Sequence, residues 1–434
     1  MALHSSTAAG SKRANRGLDA ANFFLADVRD GLGPYLAIYL LTVQKWDEAS
    51  IGVVMSIATA AGILAQTPAG GLIDATRAKR AVMVAAAVVV TAASLLLPLF
   101  SHFLPVAASQ ATAHVAAAVF GPALAAISLG IVGHAAFTRR VGRNESFNHA
   151  GNAFAAVTAG AAAYLWGPTV VFYLLAAMSA ASMASVLTIP GREIDNDLAR
   201  GLHDRLGDEK DPAVDDDKPS GLRVLITCKP LLIFAVAVVL FHLANAAMLP
   251  LVGQKLALKD NRLGTTFMAA CIVAAQVVMV PMAMLVGARA DQWGRKPLFL
   301  AGFLILPLRG CLYTLSDNPF WLLAVQSLDG VGAGIFGAMF PVIVADLMRG
   351  TGRFNVAQGA VLTAQGIGAA LSTTLAGLVV VRAGYSAAFL TLAAVAALGA
   401  LVFFFWMPET NPRSPGTSDS KEPVRAAAAM RRTA

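Results

Sequence analysis

Apolar segments long enough to cross a membrane as helices make up most of this sequence. A helix that spans a bilayer needs about 20 predominantly apolar residues, because it rises only about 1.5 Å per residue. Twelve segments reach that length, near residues 18–43, 50–72, 81–103, 106–136, 149–167, 169–189, 229–253, 263–286, 297–315, 320–348, 356–380 and 386–407. Hydrophobic residues form 57% of the chain and charged residues only 13%, which excludes a soluble protein. We therefore predict an all-α membrane protein with 12 transmembrane helices.

Basic residues are distributed unevenly between the loops that join these segments. If residues 1–16 lie in the cytoplasm, the loops on that side contain Arg77, Lys79, Arg80, Arg139, Arg140, Arg143, Arg289, Arg295, Lys296, Arg349 and Arg353. The short loops on the opposite side contain Lys45, Lys255, Lys259, Arg262 and Arg382. This distribution obeys the positive-inside rule and predicts a multi-pass protein of the cell inner (plasma) membrane with both termini cytoplasmic. No small-residue cleavage site follows the first segment, so we expect no removable signal peptide. The net charge of +8 then indicates topology and attraction to anionic lipid, not binding of nucleic acid.

Two charged turns half a chain apart follow the same plan. The first reads Gly70-Gly71-Leu72-Ile73-Asp74-Ala75-Thr76-Arg77-Ala78-Lys79-Arg80, and the second reads Gly287-Ala288-Arg289-Ala290-Asp291-Gln292-Trp293-Gly294-Arg295-Lys296-Pro297. The first and seventh apolar segments also correspond, since residues 25–27 read Leu-Ala-Asp and residues 243–245 read Leu-Ala-Asn. A repeat along the whole chain predicts two pseudo-symmetric six-helix bundles with a substrate path between them. The predicted division is a cytoplasmic tail at 1–16, bundles at 17–189 and 229–407, a cytoplasmic linker at 190–228 and a disordered cytoplasmic tail at 408–434.

Both turns resemble the cytoplasmic loop motif of the major facilitator superfamily, in which a glycine is followed by an aspartate and then by basic residues. The resemblance implies the fold of that superfamily, in which two bundles rock about a central cavity lined by spans 1, 4, 7 and 10. It also implies coupling to an ion gradient, commonly of protons. The residues that match the motif form a predicted cytoplasmic gate: Gly70, Asp74, Lys79, Arg80, Gly287, Asp291, Gly294, Arg295 and Lys296.

The family resemblance also suggests where the two aspartates lie. Asp74 is expected near residues 354–355 at the start of the eleventh span, and Asp291 near residues 147–148 at the start of the fifth. A carboxylate in either place stabilises the unpaired N–H groups of the helix terminus. Arg353 and Arg143, which precede those helices, can each add a charge-assisted hydrogen bond.

Charged and polar residues inside the first span are candidates for proton coupling. Asp27 and Asp30 are the strongest candidates, because a desolvated carboxylate can cycle between its charged and neutral forms. Arg29 provides the alternative, since an ion pair with either acid makes the cluster structural.

Five further intramembrane residues are candidates for the substrate cavity, for proton transfer or for a buried ion pair. His242 and Asn245 lie within one turn of the seventh span, and His114 lies in the fourth, although a membrane histidine often serves only in packing. Arg309 and Asp329 lie at similar depths, which predicts a buried ion pair, with a substrate or proton site at Asp329 as the alternative.

Other chemistries lack the residues that they require. The glycine pattern at 332–337 follows an apolar helix instead of a strand, so it does not predict dinucleotide binding. Three cysteines and seven histidines form no metal-binding or redox pattern, so we expect no cofactor, no metal and no enzymatic activity. The sequence predicts a monomeric secondary transporter of a small organic molecule, with proton-coupled efflux by antiport as the first hypothesis. Proton-coupled uptake by symport is the alternative, and a membrane receptor or a membrane-embedded enzyme is a further one.

Overall fold

The structure is a computed structural model that describes residues 11–30, 33–202, 220–257 and 261–412. Within these ranges all regular structure is helical, as the sequence predicted, and no strand is present. The α-helices are α1 (Lys12–Asp30), α2 (Gly33–Thr42), α3 (Glu48–Ala75), α4 (Lys79–Leu96), α5 (Phe103–Ala117), α6 (Phe120–Trp166), α7 (Val170–Thr188), α8 (Asn196–Ala199), α9 (Val224–Thr227), α10 (Lys229–Asn245), α11 (Met248–Ala257), α12 (Asn261–Trp293), α13 (Arg295–Leu312), α14 (Pro319–Met348) and α15 (Phe354–Trp406).

Eight helical segments of the described chain are long and apolar enough to cross a membrane. Two of the eight, Phe103–Trp166 and Phe354–Trp406, have 64 and 53 residues, which is more than twice the length that one crossing needs. Each is interrupted by a glycine with positive φ, Gly133 (φ 68°) or Gly384 (φ 82°), a conformation that glycine adopts without steric cost. Each of these two segments therefore accounts for two of the predicted spans.

The remaining two predicted spans correspond to α1 with α2 and to α13. Both regions are helical, but neither is among these eight segments. Helices α1 and α13 each contain several charged residues, which in α13 are Arg295, Lys296 and Arg309. The polar character that the sequence shows in the first span is thus retained in a helix, and buried Asp19 and Asn22 lie on it.

The linker predicted at 190–228 contains several short helical elements in its described part. A 3-10 turn at Gly191–Glu193 is followed by α8, and α9 lies before α10. Ala199 and Leu202 are buried at 0% and 3% exposure, so the first part of the linker packs against the helices. Residues 203–219 lie outside the described chain.

The chain divides into two compact units, and each contains a short segment from the other half of the sequence. The first unit comprises residues up to 137, 147–208 and 352–360, and the second comprises 138–146, 209–351 and 361 onward. The first turns of α15 thus belong to the unit of the N-terminal half. The middle of α6 belongs to the unit of the C-terminal half.

Each unit has its own apolar core. In the first unit, α2, α3, α5 and α7 pack around Tyr39 and Phe172, whose rings meet edge to face at 4.8 Å between centroids. In the second unit, phenylalanines of α10, α13, α14 and α15 contact one another in stacked, tilted and edge-to-face pairs with centroids about 5 to 6 Å apart. The core of the first unit includes Ile51, Val54 and Leu97, so it lies at the ends of α3 and α4 that are opposite the charged turn.

Candidate functional site

The carboxylate of Asp74 lies at the first turn of α15. Its Oδ1 accepts hydrogen bonds from the backbone N–H of Asn355 at 3.2 Å and from the Asn355 side chain at 2.8 Å, and its Oδ2 accepts from the Val356 N–H at 2.9 Å. The first N–H groups of a helix have no partner within the helix, so a carboxylate there satisfies them and interacts with the positive end of the helix dipole. Asp74 is therefore placed against Asn355, as the sequence predicted. Arg353 adds a favourable charge interaction with it.

The close approach of α3 to α15 depends on glycine. A Cβ atom at Gly70 would lie 2.1 Å from the Asn355 carbonyl oxygen, and one at Gly359 would lie 2.2 Å from the Gln66 carbonyl oxygen. Neither position leaves room for a side chain. The glycine of the motif is thus what allows Asp74 to reach the start of α15.

The start of the linker completes the cap on α15. Phe354 donates its N–H to the Arg200 carbonyl at 3.1 Å, and the Asn355 side chain donates to the Ala199 carbonyl at 2.8 Å. Asp195 caps α8 by accepting from the N–H groups of residues 197 and 198 at 2.8 and 3.1 Å. This contribution was not predicted from the sequence, although an aspartate before a short helical stretch is an N-cap signal.

Lys79 and Arg80 of the first turn contact the end of α7 and the segment that follows it. The Lys79 ammonium is buried and donates to the Thr76 carbonyl at 2.8 Å and to Asn196 Oδ1 at 3.2 Å. Arg80 donates to the Leu187 carbonyl at 3.0 Å. Arg80 therefore connects the start of α4 to the last turn of α7, and Lys79 connects it to the start of α8.

Arg295 joins three helices of the second unit. Its guanidinium donates to Asp291 at 2.6 Å, to Asp346 at 3.1 Å and to the Thr138 hydroxyl at 3.0 Å. Asp346, at the end of α14, is a partner that was not predicted from the sequence. The expected position of Asp291 against residues 147–148 stays a prediction, since the bond to Arg295 is the side-chain contact described for Asp291.

A pair of glycines brings α6 and α12 together beside this network. A Cβ atom at Gly142 would lie 2.6 Å from the Cα atom of Gly287, so two backbones touch where the motif begins. Arg143 is the next residue and is exposed. The glycine of the second motif thus serves the same packing purpose as Gly70.

The prediction of disorder from residue 408 onward is wrong for residues 408–412. The Glu409 carboxylate accepts from the N–H groups of Arg295 and Lys296 at 2.9 and 3.1 Å and so caps the start of α13, after Gly294 with φ 89°. Asn411 donates to the Asp291 carbonyl at 3.0 Å and is 3% exposed. This segment is ordered because it satisfies helix N–H groups, and residues 413–434 lie outside the described chain.

A polar cluster lies inside the spans of the second unit. Arg309 on α13 is 1% exposed and forms an ion pair with Asp329 on α14, as their similar depths predicted. The other guanidinium Nη donates to Asn245 Oδ1 at 2.6 Å. Gln326 donates to the second oxygen of Asp329 at 3.1 Å and accepts a hydrogen bond from the Tyr313 hydroxyl. One buried cation is thus surrounded by polar partners from three helices.

His242 lies beside this cluster in surroundings that suit a packing residue. Its Nδ1 is 3.0 Å from the Val238 carbonyl oxygen, one turn earlier in α10. Its ring meets the Phe336 ring edge to face at 4.8 Å. Asn245, one turn later, is the residue of this pair that contacts the Arg309 guanidinium.

The N-terminal candidates are only partly described. Asp27 and Asp30 lie in α1, but their side chains are outside the described set, and Arg29 is half-buried. His114 on α5 packs against α3, because a Cβ atom at Gly62 would lie 3.3 Å from the His114 Cβ. The ion-pair and proton-coupling alternatives for Asp27 and Asp30 therefore both remain open.

These features define a class: polytopic α-helical membrane proteins with charges buried within their spans and charged turns at the helix ends. The profile of the Major Facilitator Superfamily matches residues 18–283 and 231–433. An "uncharacterized MFS-type transporter" of Mycobacterium tuberculosis, found in strains CDC 1551 / Oshkosh and ATCC 25618 / H37Rv, is 57% identical over 398 residues, which cover 92% of this chain and 94% of the relative. The chain belongs to the major facilitator superfamily and is a membrane transporter.

Solved structures agree with the fold. The proton:xylose symporter XylE bound to 6-bromo-6-deoxy-D-glucose superimposes with a TM-score of 0.68, covering 92% of this chain and 95% of the symporter at 14% identity. The human organic anion transporter MFSD10 (TETRAN) gives a TM-score of 0.66 over 91% of this chain and 100% of the transporter, also at 14% identity. At this identity the likeness extends to the fold and not to the substrate.

Proposed function

We propose that this transporter exports a small organic molecule across the inner membrane in exchange for protons, and that it works as a monomer by alternating access. The observation that carries the proposal is the cluster of Arg309, Asp329 and Asn245. A charged group inside a membrane span is costly unless it has a partner or faces a wet cavity, and such groups mark substrate and proton paths. Uptake by symport is the alternative, and the transport experiment described below distinguishes it from antiport.

The cluster is suited to an exchange of proton and substrate. The Asp329 side chain is 17% exposed, whereas its partner Arg309 is 2% exposed. The carboxylate is therefore the more accessible member of the pair. Protonation of Asp329 removes the counter-charge of Arg309, so the guanidinium then requires another acceptor. A proton and a substrate would then compete for the same ion pair, so that binding of one favours release of the other. Antiport requires this linkage between the two binding events.

We assign Asp27 and Asp30 a second role in proton coupling, and an ion pair of either acid with Arg29 is the structural alternative. His114 is a further candidate for the N-terminal side of the cavity. His242 is assigned to packing, because its ring nitrogen bonds within its own helix and its ring contacts Phe336. The two turns, with Arg143 and Arg353, form the proposed cytoplasmic gate.

The test uses purified protein in liposomes with an imposed pH gradient. A thermal-shift screen across drugs, sugars, amino acids and organic acids first identifies a ligand, because binding raises the apparent stability. Antiport predicts that an inward proton gradient drives that ligand out, and symport predicts movement with the protons. Asp329→Asn should abolish gradient-driven flux in either case. Flux that is unaffected by the gradient would contradict proton coupling.

A further inference from the structure

We propose that the first unit contains a binding site for the phosphate group of an anionic phospholipid. The site lies where α1 begins, α7 ends and α4 begins, on the membrane face that carries the basic turns. It is separate from the substrate path, and it does not depend on the direction of transport.

The site is formed by two adjoining cavities of about 590 and 500 Å³. Arg13 and Thr188 line both, so the cavities meet at these residues. The floor is tight, because a Cβ atom at Gly17 would lie 2.7 Å from a side-chain carbon of Ile189. A cleft of this kind at the end of three spans is open to the headgroup layer of the bilayer.

Cations outnumber acids in this cleft. Five basic residues line it, namely Lys12, Arg13, Arg16, Arg80 and Arg192. The acidic residue in its lining is Glu193, and that carboxylate accepts the N–H of Ser11 at 3.1 Å. Arg13 is oriented by a bond from its Nε to the Thr188 carbonyl at 3.0 Å, which uses one of its five N–H donors.

Arg80 carries a donor that is unsatisfied within the described chain. Its Nη2 donates to the Leu187 carbonyl at 3.0 Å, whereas its Nε is buried and has no hydrogen-bond partner there. A buried donor without a partner costs about 1–3 kcal/mol, more for a charged group. A phosphate oxygen in the cleft would satisfy it with a charge-assisted bond.

Comparison of the two halves shows what the first half lacks. Pro408 and Glu409 follow the twelfth span, and Glu409 places a carboxylate on the N–H groups that begin α13. Pro190 follows the sixth span in the same way, but the next residue is Gly191. A Cβ atom at Gly191 would lie 3.0 Å from an Arg80 Nη atom. Where the second half supplies its own anion, the first half has a glycine beside an unsatisfied arginine.

A lipid fits this site better than a soluble phosphate does. Basic pockets between membrane helices recognise anionic headgroups, which the bilayer presents at high local concentration. Leu187 lines the same cavity and is 56% exposed, so it provides apolar surface for an acyl chain. The lipid would bridge α1, α4 and α7 where they end.

The experiment is a titration of purified full-length protein with phosphatidylglycerol, followed by native mass spectrometry. Each juxtamembrane cation contributes about 1 kcal/mol to anionic lipid binding, or about fivefold in affinity. We therefore expect a loss of about fivefold in the affinity for the most tightly bound phosphatidylglycerol in each of the variants Arg13→Gln, Arg80→Gln and Arg192→Gln. The triple variant should lose about 100-fold. Arg382→Gln, which removes an exposed cation of α15 beside Gly384 and on the predicted opposite side, should have no effect.

A second variant keeps every cation and adds the missing anion. Gly191→Glu should occupy Arg80 and weaken phosphatidylglycerol binding at least fivefold, while preserving the melting temperature of the lipid-bound wild type. Full retention of the tight lipid by Gly191→Glu, or by the triple variant, would overturn the site. Equal binding of phosphatidylcholine would refute recognition of anionic charge, and displacement of the lipid by millimolar inorganic phosphate would refute the lipid as its source.

Discussion

At the scale of single residues, the Arg309–Asp329 ion pair places two opposite charges inside the spans of the second unit. Arg309 is almost fully buried, and its partners Asp329 and Asn245 come from two other helices. The pair is expensive to desolvate, and it is still more expensive to break, because removal of one partner leaves an uncompensated buried charge. A structural role therefore predicts that removal of one partner lowers stability. A role in proton coupling predicts, in addition, that it abolishes gradient-driven flux.

We predict that Arg309→Met and Asp329→Asn each destabilise the protein by about 3–5 kcal/mol, whereas the double variant recovers part of that loss. The measurement is thermal unfolding in detergent as a double-mutant cycle. Lys255→Met, which removes a partner of the more exposed pair with Asp317, should cost less than about 1 kcal/mol and serves as the control. A double variant that is no more stable than the worse single variant would contradict the pairing.

Gly70 and Gly71 offer a matched pair of neighbouring positions. A Cβ atom at Gly70 would lie 2.1 Å from backbone, whereas one at Gly71 would meet its nearest neighbour, a Val356 side-chain carbon, at 3.8 Å. We predict that Gly70→Ala reduces the yield of folded protein and lowers its melting temperature, because α3 and α15 must separate. Gly71→Ala should behave as wild type in size-exclusion chromatography and thermal unfolding. Similar behaviour of both variants would show that this approach is not needed.

At the scale of helices, the start of α15 is capped by two different elements. Asp74 at the end of α3 accepts from Asn355 and Val356, and the chain around α8 accepts from Phe354 and the Asn355 side chain. A carboxylate at a helix N-terminus contributes about 0.3–1 kcal/mol, and up to about 2 kcal/mol when it is partly buried. Loss of the Asp74 charge should therefore loosen this end without unfolding the unit.

We predict that Asp74→Asn broadens and lengthens the distance distribution between spin labels at the C-terminal end of α3 and the N-terminal end of α15. Substrate binding should survive, while cycling slows, because the end of α15 is held less often. Labels on α3 and α5, which pack on each other elsewhere, provide the control distance. An unchanged α3–α15 distribution would rule out the carboxylate as the latch. Asp291→Asn, with labels on α12 and α6, makes the same test for the second motif.

The helices and the motif glycines could be predicted from the sequence, but several of their partners could not. Apolar length predicts a span, and a glycine before a charged turn predicts a close approach. The depth of Arg309 and Asp329 likewise predicted a contact that the structure contains. Asp346 and Glu409 were missed because each bonds a residue more than 50 positions away, and no local pattern encodes that distance. Glu409 caps α13 only because the segment after α15 lies against the start of α13 in the folded protein.

At the scale of the whole molecule, protons can be coupled to transport in two ways. Proton and substrate can bind at separate sites, or they can exchange with each other at one site. We predict that Asp27→Asn or Asp30→Asn collapses proton-driven flux in liposomes while ligand binding in the thermal-shift assay survives, because the change removes charge with little change of shape. Asp47→Asn, which removes the cap of α3 outside the membrane span, is the control and should keep coupled flux. Wild-type flux from both Asp27→Asn and Asp30→Asn would make these acids structural.

The exchange of short segments between the two units has a consequence for biosynthesis. The first unit includes residues 352–360, so the ribosome must make about 150 further residues after residue 208 before that unit is complete. At about 5–20 residues per second this takes roughly 10–30 s. During that interval Asp74 has no helix N-terminus to cap, because the start of α15 has not yet been synthesised. The N-terminal half expressed alone should therefore be degraded faster than the full chain, and co-expression of residues 209–434 as a separate polypeptide should protect it.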